Sequence, residues 1–515
     1  MTDASGTAIG SIRSMIDCPR MTIATTETPS SDDAQDEIEL KLEIDTEAVD
    51  RLDATEMLLG ITPKIVQQVS TYFDTPAQAL RKAGLSLRVR TAGGRHVQTT
   101  KSTRGAAAGL FARSEWEHDI AGPEPELEVG SPIHTLVAPE VLRQVKPAFT
   151  VTITRRQWII VHDSATVELV ADTGSVTASD RETPVSELEL ELKSGSPSAI
   201  FGLIHRLGSE IPLRLGVLTK GERGYRLIEP ARLGAIKAEG LDLIAGTSTA
   251  EAFVQIVGTC LRHFRLNETI LRRTPDPDAL HQARVALRRL RSALSIFKPV
   301  VADDRFAHLA SELKWLAGSL GPARDLDVLC ETLGKAANSK LGTARDDAYT
   351  AALAALDSQR TRDLMIGIVE WTALGEWRMQ PLDRAKLDTP AVLFASETIA
   401  TLRRRMKRRG RDLDQIDDEA RHKIRITAKK LRYATGFFRS LYPDKRSRRR
   451  FKAFVKHLQA LQDHLGVLND LATAPALIKR FGLDQKAAPS SLERDGILSD
   501  AATAFDALIN AKRFW

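Results

Sequence analysis

Glu37-Ile-Glu-Leu-Lys-Leu-Glu-Ile44 and Glu187-Leu-Glu-Leu-Glu-Leu-Lys193 decide the fold of the first half of this chain. In each stretch a charged residue alternates with an apolar one. Glu37, Glu39, Lys41 and Glu43 interleave with Ile38, Leu40, Leu42 and Ile44, and Glu187, Glu189, Glu191 and Lys193 with Leu188, Leu190 and Leu192. Successive side chains of a strand point to opposite faces, so both segments read as strands with one apolar and one charged face. The period continues outward through Arg88 and Arg90 around Val89, Glu115 and Glu117 around Trp116, and Glu168 and Asp172 among Val167, Leu169 and Ala171. From about Glu37 to Leu227 the chain therefore reads as an antiparallel β domain.

The charged face of such a strand ordinarily meets water. Here several strands repeat it, and rows of Glu accompany rows of Arg and Lys. Three carboxylates in a row repel one another unless a cation lies among them. A hard divalent cation takes carboxylate oxygens and often shares a substrate phosphate. Arg and Lys supply phosphate contacts, Arg in bidentate fashion. Acidic and basic rows facing one lumen would make a metal–phosphate site. No Ser, Cys or His constellation suggests a covalent intermediate, and His96, His118 and His162 read as surface or loop residues.

After Leu241 the period becomes helical. In Asp278-Ala-Leu-His-Gln-Ala-Arg-Val-Ala-Leu-Arg-Arg-Leu-Arg291, at roughly 100° per residue, His281, Arg284, Arg288 and Arg291 fall within an arc of about 80°. Ala283, Leu287, Leu290 and Leu294 lie opposite. The arrangement recurs 141 positions later, with His422, Arg425, Lys429 and Arg432 in the arc and Ile424, Ala428 and Leu431 opposite. Arg289 and Lys430 also correspond. Each copy is followed by a related element, Leu320-Gly-Pro-Ala-Arg-Asp-Leu-Asp327 and Leu465-Gly-Val-Leu-Asn-Asp-Leu471. This is an internal duplication, read as two four-helix bundles. Solvated helices usually mix charge signs, because like charges at i,i+4 are destabilising. Arg284/Arg288 and Arg425/Lys429 keep that repulsion in both copies, which points to an anion that relieves it. The clusters Arg403–Arg411 and Lys445–Arg450 are less specific. His281 and His422 lack ligand-type neighbours at i+3 or i+4 and read as extra phosphate donors rather than metal ligands. Trp315 reads as a core anchor and Asp325 as the partner of an arginine.

The chain of 515 residues is too long for one core, so two or three domains are expected. Its net charge of +6 conceals a split. Residues 1–245 carry 26 Lys and Arg against 35 Asp and Glu, a net of −9, and the remainder carries 47 against 32, a net of +15. The basic half implies a polyanionic partner. Three scattered cysteines, Cys18, Cys260 and Cys330, exclude a disulfide framework and fit a reducing cytosol. No stretch reaches the roughly 20 apolar residues of a membrane helix. Residues 1–35 read as a disordered leader, with Met15 or Met21 as alternative starts.

Two family resemblances emerge from these motifs. Glu37-Ile-Glu-Leu-Lys41 resembles the E-x-E-x-K signature of CYTH proteins, the triphosphate tunnel metalloenzymes. The likeness continues in order through Tyr72–Thr75, Leu87–Arg90, Thr100–Lys101, Arg113–Glu117, Thr154–Trp158, Asp172–Gly174, Glu187–Lys193 and Lys220–Tyr225. It implies an eight-stranded antiparallel β-barrel (a triphosphate tunnel) and hydrolysis of short linear triphosphates with Mg²⁺ or Mn²⁺. It also implies site roles. Glu37, Glu39, Asp172, Glu187, Glu189 and Glu191 are the expected metal ligands. Lys41, Arg88, Arg90, Lys101, Arg155, Arg156, Lys193 and Lys220 are the expected triphosphate contacts. Glu115 and Glu117 are expected to bind a second metal or orient water, joining Glu37, Glu39 and Lys41 as catalytic residues. The two cationic helices, with Arg324-Asp-Leu-Asp327, resemble the CHAD domain. That resemblance implies an all-α domain of two pseudo-symmetric bundles that binds inorganic polyphosphate, with association to polyphosphate granules. The expected polyphosphate contacts are His281, Arg284, Arg288, Arg289, Arg291, His422, Arg425, Lys429, Lys430 and Arg432.

The resulting expectation is a multidomain α+β protein: leader 1–35, CYTH domain 36–230, linker 231–247 and CHAD domain 248–510. The expected activity is that of a cytoplasmic inorganic triphosphatase acting on tripolyphosphate, with no specific nucleic acid and no membrane as partner. A non-catalytic polyphosphate binder, or a hydrolase of an organic triphosphate such as thiamine triphosphate, are the alternatives. Nucleic-acid binding by the basic half is disfavoured, because single-strand binders interleave aromatics for stacking and the two arcs contain none.

Overall fold

A computed structural model describes residues 35–102, 110–127, 132–229, 234–333, 335–379, 385–480 and 491–515. Residues 1–34 of the expected leader, Cys18 among them, lie outside the described residues, and Gln35 already belongs to the first strand. Residues Gln35–Trp515 form one compact unit. The period-two half forms nine antiparallel strands: β1 (Gln35–Ile44), β2 (Lys64–Asp74), β3 (Leu85–Ala92), β4 (Arg95–Ser102), β5 (Leu110–Ile120), β6 (Lys146–His162), β7 (Ala165–Ala178), β8 (Arg181–Ser194) and β9 (Leu213–Leu215). They are ordered β5-β4-β3-β2-β6-β7-β8-β1-β9, and β5 additionally pairs with β1. Among the described residues the sheet thus has nine strands where eight were expected. The added one, β9, spans three residues, all buried, too few to show a period.

The alternation in the sequence maps directly onto two faces. Leu40, Leu42 and Ile44 of β1, Leu169 of β7 and Leu188 and Leu190 of β8 belong to one buried cluster with Ile200, Phe201, Leu203, Ile204 and Leu207 of helix α1 (Ser198–Glu210). Each such side chain taken from water contributes about 1.5–3 kcal/mol. The apolar face is thus turned away from the charged rows and covered by helix. The opposite face carries Asp172, Val176 and Ala178 on β7 and Val185, Glu187, Glu189 and Glu191 on β8. Its apolar end, Tyr72, Phe149, Val151, Ile153, Val176 and Val185, packs around Tyr225 of helix α2 (Lys220–Ile228). Thr219 and Glu222 form a capping box at the start of α2, which sets where the helix begins.

The second half is helical among the described residues after 248: α3 (Thr249–Leu271), α4 (Pro277–Val301), α5 (Asp304–Ser319), α6 (Gly321–Leu333), α7 (Lys335–Asp357), α8 (Gln359–Leu374), α9 (Ala391–Arg409), α10 (Asp418–Phe437), α11 (Lys445–Arg480) and α12 (Ser491–Asn510). The two cationic segments fall on α4 and α10, and their opposite faces are buried as read: Ala283, Leu287, Leu290 and Leu294, then Ile424, Ala428 and Leu431. The duplication is unequal. The first copy breaks at Leu320 between α5 and α6, whereas Leu465-Gly466 lies inside the unbroken α11. Pro322 has no N–H to continue the preceding helix, and the second copy has Val467 in its place. Trp315 is only partly buried, with Arg360 stacked over its ring at 3.9 Å, so it is a rim residue rather than a core anchor. Phe253, Trp371 and Trp377 occupy the core instead. The expected linker is docked along its described part. Leu243 is buried, its N–H donates to Ser440 Oγ at 2.8 Å, and Ile236 N–H donates to Asn267 Oδ1 at 2.9 Å.

Gly224 marks where α2 meets the sheet. A Cβ there would lie 2.1 Å from Phe149 Cδ2. In an exposed helix, Gly→Ala gains about 1 kcal/mol. Here Gly224→Ala must push the Phe149 ring aside, and overpacking of this kind costs about 1–3 kcal/mol. The expected outcome is a lower midpoint of denaturant unfolding in the Ala variant. A raised midpoint would show that α2 is not seated on Phe149.

Candidate active site and anion-binding face

Register places the charged rows side by side. Lys41 of β1 stands opposite Glu189 of β8, Glu39 opposite Glu191 and Glu43 opposite Glu187. Asp172 of β7 stands opposite Glu187 on one side and Arg155 of β6 on the other. The outcome is a buried cluster. Asp172, Glu187 and Glu189 each offer a carboxylate oxygen, all within 4.8 Å of one another. Lys220, the first residue of α2, reaches all three at 2.7, 2.6 and 3.0 Å. Arg155 forks onto Asp172 at 2.8 and 2.6 Å and touches Glu189 at 3.3 Å. Lys41 pairs with Glu189 and lies 3.5 Å from Glu39.

Burial disfavours charge on Asp172 and Glu189, but the cations outweigh it. Lys220 and then Arg155 hold Asp172 below the ordinary carboxylate range. Lys220, then Lys41 and Arg155, hold Glu189 well below it. Reciprocally, burial would discharge Lys220, yet Asp172, Glu187 and Glu189 keep it well above the usual lysine range. Asp172, Glu189 and Lys220 are therefore all ionised at neutral pH.

A second cluster comes from β3, β4 and β5. Lys101 lies 2.5 Å and Arg88 3.6 Å from Glu115, and Arg90 lies 3.4 Å from Glu117. Thr99 donates to Glu117 at 3.0 Å. Arg90 is pulled down to about 10, chiefly by the neighbouring Arg88, then by burial, and also by Arg155. Arg90 thus feels cations from its own strand and from β6.

The other expected residues separate from these clusters. Arg156 lies on the opposite face of β6, bound to Asp53 and Val49 O and stacked over Trp158, because adjacent strand residues point apart. Lys193 and Glu191 pair at 2.6 Å, and Lys193 is 41% exposed, so this end of the row is open to solvent. Burial pushes the Glu191 carboxyl up despite Lys193. The side chain of Glu37 lies outside the described residues; its backbone pairs with Arg113 of β5. Glu43 was in the row but unassigned, and it joins Arg223 at 3.3 Å and Arg265 at 2.9 Å. Arg262 and Arg265, on α3, carry no local sequence signal for a place near the sheet.

On the helical half the two arcs converge. Burial, Arg425 and Arg288 together pull Lys429 of α10 down to about 8, so Arg288 of α4 faces the second copy. Burial and the opposing Asp470 and Arg288 act on Arg425, and Asp325 sits beside Arg284. Asp325 and Asp470 each lie five residues after the Leu of the repeated element. The Nε atoms of Arg288 and Arg425 are buried without a hydrogen-bond partner. Burial, then Arg324 and Arg288, lower His281, while His422 is exposed and bonded to Asn469 at 2.9 Å. Arg289 stacks on Phe437, Lys430 bonds Ser295 at 2.6 Å and Arg432 bonds Gln462 at 3.2 Å, so these three also serve the packing of the domain. Arg291 is exposed.

A strand face of buried carboxylates interleaved with Arg and Lys is joined here to an all-α half with paired cationic helices. Comparison with known families agrees: the CYTH domain matches residues 35–225 and the CHAD domain matches residues 255–479. The chain belongs to the proteins that join a CYTH domain to a CHAD domain. An inorganic triphosphatase of Haemophilus influenzae is 29% identical over 196 residues, which is 37% of this chain and 54% of that protein. This chain thus spans about half the length of that curated relative. The crystal structure of the CHAD domain from Ricinus communis is 32% identical, covers 55% of this chain and 98% of its own, and superposes with a TM-score of 0.44. A Hippeastrum protein, whose structure is described as revealing a dominant triphosphatase activity, is 19% identical over 36% of this chain and 92% of its own, with a TM-score of 0.28. Among the described residues no helix is long and apolar enough to cross a membrane.

The shared Lys220 yields a prediction. In metal-free buffer near pH 7, Lys220→Met leaves three buried carboxylates short of a cation, a loss of about 3–5 kcal/mol. Asp172 and Glu189 have depressed folded-state pKa values, so the stability they contribute is present above their unfolded values and is lost as pH falls through the lowered ones. The gap in melting temperature between wild type and variant is expected to narrow from pH 7 to pH 4. A constant or widening gap would contradict the arrangement.

Proposed function

We propose that this protein hydrolyses inorganic triphosphate at the charged face of its sheet, with a divalent metal, and binds inorganic polyphosphate on the helical cationic face. The observation that carries the reading is the meeting of Asp172, Glu187 and Glu189 with Lys41, Arg155 and Lys220, beside Arg88, Arg90 and Lys101. The pairing of β5 with β1 supports the finer reading of β1–β8 as a barrel around a tunnel. The all-oxygen donor set fits Mg²⁺ or Mn²⁺. Asp172, Glu187 and Glu189 would hold the ion, with Glu39 and Glu191 in the flanking positions, and it supplies Lewis-acid charge at the phosphoryl oxygens.

Arg88, Arg90, Lys101 and Arg155 bind and orient the triphosphate, and their mutual repulsion is relieved by its charge. Lys220 and Lys41, held among the carboxylates, add positive charge beside the phosphates, where negative charge develops during cleavage. Glu115 and Glu117 stand to orient the attacking water and accept its proton on a carboxylate oxygen. The likeness to the Haemophilus influenzae triphosphatase supports this substrate class. On the helical half, two arcs with unpartnered guanidinium Nε atoms and no stacking aromatics suit a base-free polyanion.

Purified protein is expected to release phosphate from tripolyphosphate with Mg²⁺ or Mn²⁺, and Glu189→Gln to lower kcat about a hundredfold or more. Equal release by wild type and variant would leave only binding, and preference for thiamine triphosphate in the same screen would reassign the substrate.

Polyphosphate binding should carry the signature of Lys429. An anion favours its charged form, so binding above pH 8 takes up a proton, and affinity is expected to fall by up to about tenfold per pH unit there. Titration of immobilised polyphosphate at several pH values checks this, with Lys429→Arg removing the dependence. Displacement by RNA at equal phosphate and salt would overturn the assignment of the partner.

A further inference from the structure

Helix α2 places Lys220 in the carboxylate cluster, and α2 is held from the helical half. Arg262 of α3 donates from Nη2 to Glu222 Oε1 at 2.8 Å, the residue that closes the α2 capping box. Its Nη1 donates to Val217 O, in the segment leading into α2, and its Nε donates to Glu239 at 3.1 Å. One turn further along α3, Arg265 is 2% exposed. Its Nε donates to Leu215 O at 2.9 Å and its Nη2 to Glu43 Oε2 at 2.9 Å. The other oxygen of Glu43 accepts from Arg223 of α2 at 3.3 Å, and Arg223 lies 3.7 Å from Glu187. Two continuous routes therefore run from α3 to the cluster: Arg262–Glu222–Lys220 through the first turn of α2, and Arg265–Glu43–Arg223–Glu187 through ion pairs.

We infer that Arg262 and Arg265 are positioning residues for Lys220 and Glu187, so that the candidate active site is built jointly by the sheet and helical halves. The reason is geometric. A two-pronged guanidinium fixes both the approach of the chain and the first turn of α2, which a loop-borne lysine could not do for itself. A buried arginine salt-bridged to Glu43 likewise fixes the strand position opposite Glu187. Small displacements of such groups matter, since misplacement by about 1 Å costs up to about a hundredfold in rate. The inference about rate rests on the triphosphatase reading; the inference about position does not.

The test uses the full chain with Arg262→Gln and Arg262→Lys, Arg262 being the less buried of the two. The first readout is independent of turnover: labelling of lysines by an amine-reactive reagent in metal-free protein, read by mass spectrometry, with exposed Lys512 as internal standard. Lys220 is 8% exposed in its side chain and should label slowly in wild type. Arg262→Gln is expected to raise Lys220 labelling severalfold relative to Lys512, and Arg262→Lys to bring it back toward wild type. The second readout is tripolyphosphate turnover. Arg262→Gln is expected to lower kcat about tenfold to a hundredfold and raise the half-activating Mg²⁺ concentration, with KM changed less. A purely structural role would reduce the active fraction and leave the Mg²⁺ dependence unmoved. Wild-type labelling of Lys220 in Arg262→Gln overturns the inference whatever the activity. Wild-type protein inert toward tripolyphosphate, with the labelling shift present, sinks the triphosphatase reading and leaves the positioning intact.

Discussion

Like-charged carboxylates crowded on one buried strand face are the constraint on which the rest depends. Asp172, Glu187 and Glu189 lie within 4.8 Å of one another, so their burial calls for cations brought from elsewhere in the chain. The fold answers with Lys41 from β1, Arg155 from β6 and Lys220 from the first turn of α2. Each comes from a separate element, so the site exists only when the sheet is paired in register and α2 is seated on Phe149 and Tyr72. Buried ion pairs seldom add much net stability. Their retention here is consistent with a face kept charged for a polyanion and a divalent cation.

The same logic explains why the sheet is turned as it is. A lone amphipathic strand puts its charges in water and its leucines in the core. Here Leu40, Leu42, Leu188 and Leu190 share one buried cluster with α1 and the helical half, while the charged rows lie side by side on the other face. The helical half therefore does two things. It shares the buried cluster of the apolar face, and through α3 it grips the segment Leu215–Glu222 that delivers Lys220. The docked stretch from Ile236 to Leu243 continues that seam. The cationic arcs of α4 and α10 belong to the same helical unit, and α3, which packs on α4, carries the arginines that reach the sheet.

Much of this was legible in the sequence. Strict alternation over Glu37–Ile44 and Glu187–Lys193 specified strands and which residues shared a face, since period two leaves no other choice. The 3.6-residue period specified α4 and α10 and their buried sides for the same reason. Ambiguity entered where neighbours compete. Arg155 and Arg156 are equivalent as text, and only pairing with Asp172 puts Arg155 on the inner row and sends Arg156 to Trp158. The break at Leu320 was foreshadowed by Pro322, whereas β9 was too short to carry a period of its own.

By itself the sequence determined the class of each half, the charged rows, the duplicated cationic helices and the residue types available for phosphate, because these follow from local periodicity and composition. Tertiary structure alone decided that three of the expected carboxylates converge, that Glu191 and Lys193 lie at an open end, that Arg288 faces Lys429, and that Arg262 and Arg265 reach the sheet. Those are distances between residues tens to hundreds of positions apart. They are set by strand register and by helix packing against it, and no local pattern encodes them.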